Sequence, residues 1–203
     1  MPPSGFGAKP DVGAATVYSE EMQKPILFLD FDRTLFDAEQ LYTWLGNDIE
    51  PRIKEVVLGT CELPDLLPML YSDTVPFLMR ARDTYSLVLL TSTMHPVFQE
   101  KKVHASGISS HLDDVLIVPG NRDHSGKGIA AKEYLCKLSR SAPGHAFIDD
   151  LPENISEVKA ENPEIRCIRI ERIKKEKAAS FSKLIPPDEV VSTLPELFAM
   201  LNM

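Results

Sequence analysis

Residues 25–37 read PILFLDFDRTLFD. A proline precedes four apolar residues, Ile26-Leu27-Phe28-Leu29, and the run ends on Asp30. So short a run, apolar at both alternating sets of positions, predicts a strand buried on both faces. Similar runs recur at Ser86–Leu90 before Thr91-Ser92-Thr93, at Asp114–Val118, at His145–Ile148 before Asp149-Asp150, and at Ile165–Ile170. Between them the apolar spacing turns helical. Phe98–Ala105, Gly128–Leu138 (with Ile129, Tyr134, Leu135 and Leu138) and Asn154–Ala160 read as helices, and Thr193–Met203 as a last one capped by Ser192 or Thr193. No Asn-Gly or Asp-Gly hairpin signal joins neighbouring runs, so the alternation predicts an α/β fold with a parallel sheet between helical layers.

The interval from Asp30 to Thr91 is too long for a plain crossover. Three amphipathic pieces fill it: Ala38, Leu41, Tyr42 and Leu45; Ile49, Ile53, Val56 and Val57; and Val75, Leu78, Met79 and the stem of Arg82. The crossover helix is assigned to Asp73–Arg82. Residues 36–72 are then a small helical insertion after the first strand, 25–35 and 73–203 the core domain, and the Gly-, Pro- and Ala-rich residues 1–24 a mobile arm.

The 203 residues carry 30 acidic and 22 basic side chains, a formal charge of −8. That balance disfavours diffuse binding to nucleic acid, which needs a basic face. No apolar run approaches the ~20 residues of a membrane span, and the start MPPSGFGAKPDVGAATV lacks the pattern of a secretion signal. Cys61, Cys136 and Cys167 lack metal-ligand spacing and are expected as buried free thiols, which suits a cytoplasmic protein. Lys174-Lys175-Glu176-Lys177 reads as a solvated face.

Ligands of open parallel sheets bind beyond the carboxyl ends of the strands. Those ends carry Asp30-Phe31-Asp32-Arg33-Thr34, Thr91-Ser92 and Asp149-Asp150. Gathered carboxylates repel unless a cation neutralises them, and oxygen ligands without His or Cys point to Mg²⁺. Such a site suits phosphoryl transfer. Asp30 is the candidate nucleophile and Asp32 the general acid and base. Thr91 would bond a phosphoryl oxygen, and Lys127, entering a helix after Ser125-Gly126, would neutralise charge. Lys132 lies further down the side of that helix. GNRDHSGKG at 120–128 is not a nucleotide-binding phosphate loop: Asn121 replaces the first glycine and Gly128 the metal-binding hydroxyl.

These residues resemble the motifs of the haloacid dehalogenase (HAD) superfamily. FLDFDRTLFD (28–37) is similar to its first motif, LVLLT (87–91) to its second, Lys127 to the lysine of its third, and FIDDLPEN (147–154) to its fourth. The resemblance spans residues 25–170. It implies a Rossmannoid three-layer sandwich, with residues 36–72 in the slot of a helical cap. It implies that Asp30, Asp32 (through its carbonyl), Asp149 and Asp150 hold Mg²⁺. Arg33, Thr34 and Ser92, at the same strand ends, are the candidate substrate contacts. Members with an acid at the Asp32 position are typically phosphatases or phosphotransferases, whereas the carbon–halogen-cleaving members lack it. The expectation is an Mg²⁺-dependent phosphatase acting on a small phosphate monoester. A phosphotransferase using the same site, and an inert phospho-ligand binder, are the alternatives. Arg33 departs from the family's usual Gly, and Leu151 from a small polar residue. His95 is expected as an exposed loop histidine, Asn154 as support for the turn after Asp150, and Tyr42, Trp44 and Leu45 as the packed side of a cap helix.

Overall fold

A computed structural model describes residues 24–120, 124–138, 143–172 and 184–201. Residues 1–23 of the arm assigned to 1–24, and the basic run 174–177, lie outside the described residues. Six parallel strands form one sheet in the order β3-β2-β1-β4-β5-β6. They are β1 (Ile26–Leu29), β2 (Ser86–Thr93), β3 (Asp114–Pro119), β4 (Ala146–Asp149), β5 (Arg166–Ile170) and β6 (Glu189–Val191). The helices are α1 (Ala38–Leu45), α2 (Ile49–Leu58), α3 (Thr74–Ala81), α4 (Pro96–Ala105), α5 (Lys127–Lys137), α6 (Pro152–Glu161) and α7 (Leu194–Met200). This is the α/β three-layer arrangement expected, and chain reversal at β1 puts β2 on one side of it and β4 on the other.

Strand alternation divides the core in two. Leu27, Leu29, Leu87, Leu89 and Ile148 pack with α1–α4 and α7, while Ile26, Phe28, Val88, Leu90 and Phe147 pack with α5 and α6. The buried residues of α1 and α2, Leu41, Leu45, Ile53 and Val56, belong to the first of these clusters. Both helices therefore grow out of the core layer instead of standing clear of it. Among the described residues, no helix is long and apolar enough to cross a membrane.

Some expected faces are rotated. α3 buries Phe77, Leu78 and Ala81 and leaves Met79 exposed; α1 leaves Tyr42 exposed. α5 buries Lys127, Gly128, Ala131 and Leu135 and turns Ile129 outward. Cys167 alone is buried; Cys61 is half-buried and Cys136 exposed, and all three are free thiols. Burial, then the charge of Asp188, pushes the Cys167 thiol up to about 12, which leaves it inert. Strand β6 has no counterpart in the sequence reading. It has three residues and buries only Val191, too little pattern to see.

The rotation of α5 has a cause in Gly128. A Cβ there would lie 2.7 Å from the Glu157 carbonyl oxygen and 3.1 Å from Glu161 Cγ. α5 and α6 thus approach backbone to backbone, held by Asn162 Nδ2 donating to the Gly128 carbonyl at 2.9 Å and the Gly128 N–H donating to Glu157 Oε1 at 3.1 Å. Gly128→Ala is expected to force the helices apart and to cost about 1–3 kcal/mol, as overpacking does. Urea denaturation measures this; an unchanged midpoint would show that the contact yields freely.

Candidate active site

The register of β1 against β4 pairs Leu29 with Ile148, and the Asp30 N–H donates to the Ile148 carbonyl at 2.9 Å. One step on, Asp30 and Asp149 stand side by side at the strand ends. Both share the parity of Phe28 and Phe147 and so face the α5 layer. Lys127, the first residue of α5, meets them there. Its Nζ lies 2.5 Å from Asp30 Oδ1 and 2.6 Å from Asp149 Oδ2, and all three side chains are buried. Lys132, the alternative, is exposed and pairs with Glu161.

Asp149 is held from two more sides. Asn154 Nδ2 donates to both its oxygens, at 3.1 and 3.0 Å, and the Leu151 N–H to Oδ1 at 2.8 Å. Asn154, expected as support for the turn, therefore touches the carboxylate itself. Thr34 Oγ1 donates to Asp30 Oδ2 at 3.1 Å, and Ser92 Oγ to the Ser125 carbonyl at 2.8 Å. The two hydroxyls assigned to substrate are thus engaged within the protein, Thr34 on the candidate nucleophile. Arg33 has φ 61°, and its guanidinium binds Glu39 of α1 at 2.8 and 3.0 Å. His95 pairs with Glu50 of α2 at 3.3 Å.

Asp30, Asp149 and Asp150 each offer a carboxylate oxygen within 4.8 Å of the others. The Asp32 carboxylate is not in this group; it turns to α4. Lys102 Nζ lies 2.8 and 2.7 Å from its two oxygens, and Gln99 Nε2 donates to Oδ2 at 3.2 Å and to Thr91 Oγ1 at 2.8 Å. Gln99 and Lys102 escaped the sequence reading. Their signal was present: polar residues three apart on the same face of α4 as Phe98 and Val103, where an apolar pair was due.

Burial, then the charge of Asp149, pushes the Asp30 carboxyl well above the usual carboxylate range; Lys127 opposes this and Asp150 adds a smaller push. Burial alone would lower Lys127, but Asp149 and Asp30 together outweigh it and hold the ammonium above its ordinary value. The donor set is entirely oxygen, mutually repelling and largely buried. It fits a hard divalent cation such as Mg²⁺.

Neither a family model nor a curated protein matches the chain by sequence. Solved structures match the fold. A protein described as a haloacid dehalogenase-like hydrolase from Burkholderia xenovorans LB400 aligns over 89% of this chain and 99% of its own, with a TM-score of 0.68 and 16% identity. A HAD-hydrolase from Bacillus subtilis, bound to magnesium, aligns over 89% and 100%, with a TM-score of 0.62 and 14% identity. A HAD phosphatase from Thermococcus onnurineus aligns over 88% and 98%, with a TM-score of 0.60 and 20% identity. L-2-haloacid dehalogenases are also among the matching folds. The chain has the fold of the HAD-like hydrolases.

Lys127→Met would leave two buried carboxylates facing each other. The expected loss is about 3–5 kcal/mol at neutral pH, the usual cost of removing one partner of a buried ion pair. An acid whose folded-state pKa is raised binds more protons folded than unfolded, so its contribution to stability falls as pH rises through that window. The deficit of the variant should therefore shrink as the pH drops and Asp30 takes up its proton. Urea midpoints at about pH 7.5 and pH 5 test this, and a deficit equal at both would refute it.

Proposed function

We propose that the protein is an Mg²⁺-dependent phosphohydrolase that works through an aspartyl-phosphate on Asp30. The observation carrying this reading is the division of labour among the acids. Asp30, Asp149 and Asp150 gather round one point beside Lys127, while Asp32, two residues from Asp30, stands apart toward the second strand's hydroxyl, Thr91. A dehalogenase has no leaving alkoxide to protonate and so no use for that separate acid.

Asp30 attacks phosphorus in line; the phosphorus–ester oxygen bond breaks and the leaving oxygen takes its proton from Asp32. The Asp32 carboxylate then takes a proton from water, whose oxygen displaces Asp30 and releases inorganic phosphate. Lys127 neutralises the nucleophile and the transferring group. Thr91 already accepts from Gln99, so its hydroxyl proton is left to donate to a phosphoryl oxygen. Mg²⁺, held by Asp30, Asp149 and Asp150 with the Asp32 carbonyl that the resemblance implies, would withdraw charge from the phosphoryl oxygens.

A cavity of about 970 Å³ adjoins the rim at Ser92, Leu151 and Asn154 and is lined beyond it by Met94, His124 and Glu153. Its size suits the leaving group of a small-molecule ester. Among the described residues its charged lining is acidic, Glu153, Glu157 and Glu161, which supports a neutral or cationic leaving group over a second anion. α1 and α2 serve in this reading as a small cap, joined to the mouth by the Arg33–Glu39 and His95–Glu50 pairs.

Hydrolysis of an aryl phosphate should require Mg²⁺, stop with EDTA, and fall by at least about three orders of magnitude in Asp30→Asn. Absence of turnover across a panel of phosphate esters, or release of halide from 2-haloacids, would overturn the reading.

A further inference from the structure

Lys102 is a buried ammonium, 5% exposed, that the chemistry above leaves without a task. Its Nζ lies 5.4 Å from the Phe31 ring centre and 5.7 Å from that of Phe36, and those rings stack on each other at 4.9 Å. Taking such a charge out of water costs several kcal/mol, and an apolar side chain of similar volume would suit this aromatic neighbourhood as well or better. Stability alone does not account for a lysine here. Gln99, 2% exposed, is likewise buried one helical turn earlier.

What the two side chains share is Asp32. Lys102 spans both its oxygens, and Gln99 joins Oδ2 to the Thr91 hydroxyl. The Asp32 side chain is 31% exposed, and among the described residues these bonds are what hold its carboxylate. One rigid helix thus sets where the leaving-group acid stands relative to the hydroxyl on the phosphoryl oxygen.

We propose that Lys102 and Gln99 are positioning residues that hold the Asp32 carboxylate toward the leaving group. The proposal rests on the phosphohydrolase reading. It makes Lys102 matter in proportion to how much the leaving group needs a proton. The value of kcat/KM reports the steps up to departure of that group. An alkyl phosphate cannot lose its alkoxide unprotonated, whereas a nitrophenyl phosphate can.

The test compares wild type, Lys102→Met, Lys102→Arg and Gln99→Leu on both esters with Mg²⁺. Lys102→Met is expected to lose about 100-fold in kcat/KM on the alkyl ester, the scale of general acid catalysis, and less than about threefold on the aryl ester. Lys102→Arg should recover most of the alkyl activity. Gln99→Leu should show the same selective loss in milder form, and it decides the matter if Lys102→Met does not fold. Equal losses on both esters, or no loss on either, overturn the proposal. If the wild type hydrolyses no ester, the phosphohydrolase reading fails. The positioning role is then judged by crystal structures of Lys102→Met or Gln99→Leu. An Asp32 carboxylate that swings away supports it, and one that stays in place refutes it.

Discussion

The ammonium of Lys127 between Asp30 and Asp149 is the constraint around which the molecule is arranged. Two carboxylates buried at neighbouring strand ends cannot both be ionised without a counter-charge between them. The strand order puts them there, and α5 has to come close enough for its first residue to answer. Two glycines allow that approach. Gly126, at φ 75°, makes the turn into α5, where a Cβ would sit 2.8 Å from Val118 Cγ1. Gly128 lets the helix settle against the Glu157 carbonyl. A bulkier pair would hold the lysine back from the carboxylates it balances.

Strand parity then decides which helix serves which site residue. In β2, Leu87 and Leu89 face the α4 layer and Val88 and Leu90 the α5 layer. Thr91 follows the first set and meets Gln99 of α4, while Ser92 follows the second and meets Ser125 just before α5. Adjacent hydroxyls are thereby given to opposite layers, one beside Asp32 and Gln99 and one at the neighbouring cavity.

The same physics explains what the sequence reveals. Continuous apolar runs, with the acids that end β1 and β4 and the hydroxyls that end β2, mark these strands and the rim they form, because a strand buried on both faces leaves an unbroken signal. Helix faces are less legible. Ile129 reads as core, yet it is exposed, because the inward positions of α5 are taken by Lys127 for charge and by Gly128 for close approach. On α4 the inward positions carry Gln99 and Lys102, polar residues whose partner, Asp32, lies some seventy positions away in the chain. Periodicity sees apolar burial; it is blind to a polar side chain buried for a distant partner.

The turn after β1 keeps the two acids of DFD apart. In an extended chain, residues two apart share a face, so Asp32 would follow Asp30 toward the α5 layer and add its charge to that of Asp149 and Asp150. The chain instead winds tightly. The Phe31 carbonyl accepts from the N–H groups of Leu35 and Phe36, both at 3.0 Å, and the Arg33 N–H donates to the Phe36 carbonyl at 2.7 Å. Closing this turn puts Arg33 in the left-handed region, at a cost of about 1–2 kcal/mol for a residue with a Cβ. The surroundings hold it there: Arg172 grips the Thr34 carbonyl at 2.9 and 3.1 Å while paired with Asp73. Asp32 leaves the turn facing the other helical layer, where Lys102 receives it. Each acid of the motif thus has its own lysine, from its own side of the sheet, and the strain at Arg33 is the consequence of that separation.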